Sequence, residues 1–95
     1  MDLNMKNITI KKLEKDALHE AGVFSWPLWE KEVSKFSWIY SKEEACYIVD
    51  GKATVTPHDG RDPVVIEAGD YVVFPAGMEC VWEVHEDIKK HFNFE

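Results

Sequence analysis

Basic charge is scarce in this 95-residue chain. Eleven Lys and Arg residues stand against eighteen Asp and Glu residues, so the formal net charge is -7, and Arg61 is the single arginine. Binding to nucleic acid normally requires a basic surface that displaces counterions from the phosphates. We therefore expect neither nucleic acid nor an anionic membrane surface to be a partner.

Cysteines and long apolar runs are scarce as well. The two cysteines, Cys46 and Cys80, are too few for a disulfide framework. The longest stretch without a charge covers residues 21–29, far fewer than the roughly 20 residues that span a bilayer. Residues 1–12 lack the long apolar region of a secretory signal. The sequence therefore predicts a cytoplasmic protein, unless a transit peptide has been removed.

Aromatic residues, by contrast, are abundant. Trp, Phe and Tyr make up 13% of the chain, and hydrophobic residues make up 45%, which is typical of a folded globular protein. A domain of this size buries only about 60% of its unfolded surface, so large aromatic side chains supply much of its core. We expect one domain spanning residues 1–95.

The residue pattern predicts an all-β fold with one short helix. Helical spacing covers only residues 14–21, whereas β-branched and aromatic residues separated by Gly and Pro dominate from Ser25 onward. The predicted strands are residues 8–10, 29–33, 35–40, 45–50, 52–56, 64–67, 71–74, 80–85 and 90–94. Asp50 and Gly51 predict a tight hairpin, because glycine supplies the positive φ. Short strands at this spacing indicate an antiparallel sandwich or barrel.

A run of turn residues at fixed spacing occurs in the second half of the chain. Residues 69–80 read Gly-Asp-Tyr-Val-Val-Phe-Pro-Ala-Gly-Met-Glu-Cys, with turn residues at Gly69, Pro75 and Gly77. The run resembles the second motif of the cupin superfamily, which is a glycine, five residues, Pro-x-Gly, two residues and a histidine. Cys80 occupies the position of that histidine.

The first cupin motif is matched in its spacing but not in its metal ligands. That motif reads His-x-His, three or four residues, Glu, six residues and Gly. Counting back from Gly51 assigns Glu44 to the glutamate and places Trp38 and Tyr40 at the histidines. Mn, Fe or Ni would need imidazole and carboxylate donors at these positions, and Cys80 prefers softer metals. The resemblance therefore implies a cupin that has lost the usual metal, and we expect no metal cofactor.

The resemblance covers residues 26–95 and implies a double-stranded β-helix, or jelly roll, around a small pocket. An N-terminal strand and short helix in residues 7–22 would precede this barrel. Residues 25–29, 36–38 and 44–47 are similar to a small single-domain subgroup that is grouped with ureidoglycine aminohydrolase-type cupins.

Strand alternation collects candidate site residues on two faces. Glu44 and Cys46 share one face of their strand, and Cys80 and Trp82 share one face of theirs. The resemblance implies that both faces point inward. The candidate ligand-binding residues are then Trp38, Tyr40, Glu44, Cys46, Cys80 and Trp82. A desolvated Glu44 would be suited to act as a general acid or base.

The four histidines are interpreted as solvated or hydrogen-bonded residues rather than metal ligands. His19 lies on the predicted helix and His58 in a polar reversal. By alternation, His85 faces away from Cys80 and Trp82. His91 lies in the last strand, where Phe92 and Phe94 take the apolar face.

Three functions remain open from the residues. The first is a metal-free barrel that binds a small organic molecule, because aromatic walls with one polar group suit a sugar-like or heteroaromatic ligand. The second is an enzyme related to ureidoglycine aminohydrolase or sugar epimerase cupins, with Glu44 as acid or base. The third is a structural or interaction protein whose barrel is filled by side chains. The aromatic residues 24–29 either close the barrel or form a dimer contact, and a homodimer is expected by analogy with cupins.

Overall fold

The computed structural model describes residues 7–94. These residues form seven β-strands, one α-helix and one 3-10 turn. In chain order they are β1 (Thr9–Lys11), α1 (Lys15–Glu20), the 3-10 turn (Val23–Ser25), β2 (Leu28–Lys31), β3 (Ser34–Ile39), β4 (Glu44–Pro57), β5 (Val64–Glu67), β6 (Tyr71–Phe74) and β7 (Glu79–Phe94). The predicted all-β class is confirmed. Residues 1–6 and 95, which the predicted domain includes, lie outside the described residues.

Two long strands, β4 and β7, pair antiparallel along most of their lengths and form the centre of the fold. The first half of β4 also pairs with β6, and the second half of β7 pairs with β2. The second half of β4 pairs with β5, and the first half of β7 pairs with β3. The jelly roll therefore has two leaflets, β1-β6-β4-β7-β2 and β5-β4-β7-β3, and both long strands run through both of them.

A bulge in the middle of β4 allows both of its halves to face one core. The buried positions are Cys46 and Ile48 before the bulge, but Ala53 and Val55 after it, so the alternation changes parity. The register of β4 against β7 shifts over the same residues, between Ile48 and Ala53. The irregular pairing thus shifts the alternation of β4 by an odd number of residues, so that the second half of the strand faces inward, where strict alternation would have turned it outward.

The predicted hairpin at Asp50 and Gly51 is wrong. Gly51 has the expected positive φ of 95°, but the chain continues into the second half of β4 instead of reversing. The predicted strands 45–50 and 52–56 are therefore one strand. In the same way, the predicted strands 80–85 and 90–94 are both parts of β7. A left-handed glycine serves a bulge as well as a hairpin, so the local signal does not distinguish the two.

The other predicted elements agree with the structure within two residues at each end. They correspond to β1, α1, β2, β3, β5 and β6. In the described part of the chain, none of the helices is both long and apolar enough to cross a bilayer.

A left-handed backbone conformation costs an ordinary residue about 1–2 kcal/mol. We expect Gly51→Ala to lower the free energy of unfolding by more than this. A Cβ atom on Gly51 would lie 2.7 Å from the Cα of Ile88 in β7, closer than Cβ atoms normally approach. Urea unfolding measures the loss.

Gly77→Ala is the matched control. Gly77 also has a positive φ, 86°, but a Cβ there would meet no atom of the described residues within 4 Å. Equal losses of stability in the two variants would show that the close approach at Gly51 is unimportant.

Candidate functional site

A cavity of about 190 Å³ enters the barrel interior beside β2, β3 and the paired ends of β4 and β7. Seven aromatic side chains, one carboxylate and one amine line it: Trp29, Phe36, Trp38, Tyr40, Glu44, Trp82, Lys90, Phe92 and Phe94. Trp38 and Phe94 are 42% and 46% exposed and mark the mouth, whereas Tyr40, Glu44, Trp82 and Lys90 are buried and form the floor. The polar groups of this cavity therefore lie at its inner end.

An ion pair occupies the floor of the cavity. Lys90 Nζ donates a hydrogen bond of 2.5 Å to Glu44 Oε1. The exposure of Glu44 is 2% and that of Lys90 is 5%. Strand register brings the two together, because Glu44 of β4 lies opposite Phe94 of β7 and the long Lys90 side chain comes from the same strand face as Phe94. Each charge is thus neutralised by the other in surroundings that exclude most water.

Aromatic rings surround the ammonium group of Lys90. Its Nζ atom lies 4.8 Å from the ring centroid of Trp29, 5.0 Å from that of Trp82 and 5.7 Å from that of Phe74. A cation within about 6 Å of an aromatic face is attracted by the ring quadrupole. These contacts, together with Glu44, offset the cost of burying the charge.

Tyr40 adds a hydroxyl group to the floor. The indole Nε1 of Trp82 donates to the Tyr40 hydroxyl at 3.2 Å, and the Tyr40 ring stacks on Phe74 with centroids 4.7 Å apart. Burial raises the pKa of Tyr40, and the charge of Glu44 raises it further. The phenol therefore stays protonated, and because it accepts the bond from Trp82, its own proton can still be donated.

Four of the six sequence-predicted site residues line the cavity, namely Trp38, Tyr40, Glu44 and Trp82. Cys46 and Cys80 are fully buried, as their strand faces predict, but they are not among the lining residues. Cys80 Sγ instead donates a weak hydrogen bond of 3.8 Å to the Trp38 carbonyl. Their assignment to ligand binding stays a prediction.

Five lining residues were not among the sequence-predicted site residues: Trp29, Phe36, Lys90, Phe92 and Phe94. Alternation carried a signal for most of them, since Phe36 lies two residues before Trp38 and Lys90 lies two residues before Phe92. Lys90 is the important omission. A lysine at a strand start is normally solvated, and the burial of its amine depends on Glu44, which is far away in the sequence.

The histidines have structural partners or lie at the surface. His91 Nδ1 donates to the Trp26 carbonyl at 2.9 Å, and His85 Nε2 lies 2.8 Å from Thr54 Oγ1. His19 packs against the Phe24 ring, and His58 is exposed. Their interpretation as solvated or hydrogen-bonded residues agrees with these contacts.

The residues present do not fit the metal that the usual ligands of the two cupin motifs would hold. Of the four positions in the two motifs, Glu44 alone carries a usual ligand, and its carboxylate is bound to the Lys90 ammonium. A divalent cation beside Glu44 would meet this positive charge at short range. Within residues 7–94, no three His, Cys, Asp or Glu side chains come together to hold a metal ion.

The two cysteines are held as neutral thiols. Burial raises the pKa of Cys46 to about 12 and that of Cys80 to about 11, from an ordinary value of 9.0. The charge of Lys90 opposes the effect of burial in both cases without cancelling it. Since the thiolate is the nucleophile, neither side chain is activated for covalent chemistry near neutral pH.

Comparison with known proteins identifies the family. Residues 18–92 match the model of the EutQ-like cupin domain. The chain belongs to this cupin family. The predicted cupin fold is thereby confirmed, whereas similarity to ureidoglycine aminohydrolase-type cupins stays a prediction.

A solved structure supports the assignment at high similarity. The cupin is 47% identical to a DUF861 family protein from Thermotoga maritima, with a TM-score of 0.91, over 94% of this chain and 100% of that chain. No curated protein matches at significant similarity.

Two more distant structures share the fold. A putative ethanolamine utilization protein Q from Salmonella typhimurium is 15% identical, with a TM-score of 0.63, over 70% of this chain and 53% of that chain. The EutQ protein of Clostridium difficile is 22% identical, with a TM-score of 0.62, over 92% of this chain and 66% of that chain. The matched region thus covers about half to two thirds of these longer proteins.

We expect Glu44→Gln to lower the free energy of unfolding by about 3–5 kcal/mol, because it leaves the Lys90 ammonium buried without its anionic partner. Lys90→Met should cost a similar amount for the converse reason. The double variant Glu44→Leu with Lys90→Met should recover most of the loss, since no uncompensated charge is then buried. Chemical denaturation of all four proteins gives these values.

The exposed pair between Lys89 and Glu30, 3.4 Å apart, is the control for this experiment. Glu30→Gln should change the free energy of unfolding by less than about 1 kcal/mol, because solvent screens the pair. A loss as small as this in Glu44→Gln would contradict a buried, charged pair.

Stability should fall as the pH rises above 9, where the unfolded thiols ionise and the native thiols do not. The unfolded state then binds fewer protons than the native state, so each buried cysteine contributes a slope of up to about -1.4 kcal/mol per pH unit. The effect should extend toward pH 11 for Cys80 and pH 12 for Cys46, where the native thiols ionise. Unfolding curves between pH 7 and 11 measure the slope.

The quantity to compare is the slope of the free energy of unfolding against pH. The absolute stability is not suitable, because replacing a buried thiol with alanine also leaves a cavity that destabilises the variant. Cys46→Ala with Cys80→Ala should flatten the decline between pH 9 and 10. An unchanged slope in this double variant would show that other groups cause the alkaline loss.

Proposed function

We propose that this cupin binds a small, neutral organic molecule in its aromatic cavity without the help of a metal. The supporting observation is a cavity with aromatic walls whose floor is a buried Lys90–Glu44 pair. Ligand sites commonly combine apolar walls with a few polar groups that fix the orientation of the ligand.

The size of the cavity limits the ligand to about one ring. Its volume is about 190 Å³. An apolar cavity of about 150 Å³ is known to hold benzene, whereas pockets for drug-sized ligands begin at about 300 Å³. A single heteroaromatic ring, a small sugar or a ureide therefore suits this volume.

The residues that line the cavity determine which ligand orientation and which ligand charge are favoured. The aromatic side chains of Trp29, Phe36 and Trp82 favour a flat or apolar ligand surface. The polar groups lie inside, so the polar end of the ligand points inward. A net charge on the ligand would compete with one member of the Lys90–Glu44 pair, and a neutral ligand avoids this cost.

Catalysis by the same residues is the second candidate. The hydrogen bond between Lys90 and Glu44 gives the cavity a proton donor beside a proton acceptor, as general acid–base catalysis requires. This favours the expected relation to aminohydrolase or epimerase cupins. A filled, purely structural interior is disfavoured by the open volume beside these groups.

The proposed binding is tested by a thermal-shift screen with single-ring heteroaromatics, ureides and sugars in the presence of a chelator. A ligand at 100 times its Kd stabilises the native state by about 2.7 kcal/mol, and Tm rises accordingly. Quenching of tryptophan fluorescence provides a second signal, because Trp29, Trp38 and Trp82 line the cavity. Elemental analysis of protein purified without a chelator should find no stoichiometric transition metal.

Trp38→Ala removes a wall at the mouth and should weaken binding. The control is Trp26→Ala, because Trp26 packs against Tyr71 and is not among the lining residues. Equal effects of the two variants, a screen without any ligand, or binding that the chelator abolishes would contradict the proposal.

A further inference from the structure

Lys90 differs from other lysines of the chain in its surroundings. Its side chain is 6% exposed, whereas that of Lys89 is 39% exposed and that of Lys12 is 67% exposed. Nevertheless, Lys90 is one of the residues that line the cavity. A primary amine is therefore present where a small molecule of the proposed kind would place its polar end.

Glu44 gives this amine a partner for proton transfer. The 2.5 Å hydrogen bond joins the ammonium directly to a carboxylate that is itself 2% exposed. A lysine in a hydrophobic pocket is a recurrent nucleophile toward carbonyl compounds, provided that a neighbouring group removes its proton. Trp29 and Trp82 provide the hydrophobic surroundings of Lys90, and Glu44 is the neighbouring proton acceptor.

We propose that Lys90 captures small aldehydes in the cavity as an imine, with Glu44 as the group that shuttles the proton. This inference rests on the proposed binding function and names its substrate class. A single-ring aromatic aldehyde fits best, because its ring would contact the aromatic walls and its carbonyl group would face the amine at the floor.

The reaction balances without a further reactant. Glu44 accepts a proton from the Lys90 ammonium, and the neutral amine attacks the carbonyl carbon to form a C–N bond. The carbonyl π electrons pass to oxygen, which takes up the proton from Glu44. The nitrogen then loses its second proton to Glu44, which delivers it to the hydroxyl group. The C–O bond breaks, water leaves, and a protonated imine remains beside the Glu44 carboxylate.

The surroundings favour the product of this step. The imine carries the same single positive charge as the ammonium, so its pairing with Glu44 and its contacts with Trp29 and Trp82 are retained. The low exposure of the pair also limits the water that would reverse the reaction.

Reductive trapping tests the inference. Benzaldehyde and sodium cyanoborohydride are added to the full chain, and intact mass and peptide mass spectrometry locate the resulting benzylamine. We expect one benzyl group per chain, at Lys90. Glu44→Gln should slow trapping by about 100-fold, as expected for loss of acid–base assistance, whereas Lys89→Met should leave the rate unchanged.

Two measurements separate this inference from the proposed binding function. Benzyl alcohol has a similar shape but no carbonyl group, so it should raise Tm and slow the trapping of benzaldehyde at Lys90. The double variant Glu44→Leu with Lys90→Met removes the nucleophile without leaving a buried charge, and it should not be labelled at this position.

Each remaining outcome is informative. If benzyl alcohol and benzaldehyde raise Tm but no adduct forms at Lys90, the imine is overturned and the binding function stands. If neither compound binds and no adduct forms, single-ring binding fails as well. Labelling of exposed lysines as fast as Lys90 would also overturn the inference, because the site would then confer no reactivity.

Discussion

The ion pair between Glu44 and Lys90 determines what the interior of this cupin can hold. The two charged side chains are 6% and 2% exposed, and they are stable only because they neutralise each other and because aromatic rings surround the cation. The carboxylate that cupins use as a metal ligand is thus retained, but its positive partner is an amine of the same chain. This exchange disfavours a divalent ion and leaves an organic cavity with reactive polar groups at its base.

Much of the fold was predictable because its signals are local. Residues 69–77 contain turn residues at fixed spacing, and β5 and β6 have the predicted bounds on either side of the turn at residues 68–70. The prediction of a hairpin at Gly51 was wrong for a physical reason. A positive φ describes one residue, whereas the choice between a reversal and a bulge depends on whether the continuing strand finds a partner, and β7 pairs with both halves of β4.

The site was predictable in part, for the same reason. Period-two alternation, together with the family resemblance, placed Trp38, Tyr40, Glu44 and Trp82 around one cavity. Alternation assigns Lys90 to the same strand face as Phe92, but it could not reveal that the amine is buried as a charge, because its partner Glu44 lies 46 positions away in the chain. Nor could alternation separate the cavity wall from the solid core, where Cys46 and Cys80 are packed. The homodimer and the cytoplasmic location stay predictions.

The two shared strands have a consequence for how a molecule reaches the interior. Since β4 and β7 each belong to both leaflets, the leaflets cannot part without breaking the hydrogen bonds of the longest ladder in the sheet. Separation of the two leaflets would therefore cost a free energy close to that of global unfolding. Passage is left to rotamer changes of the rim residues Trp38 and Phe94, which occur within nanoseconds for exposed side chains. A ligand can thus enter and leave the cavity quickly while the backbone stays rigid.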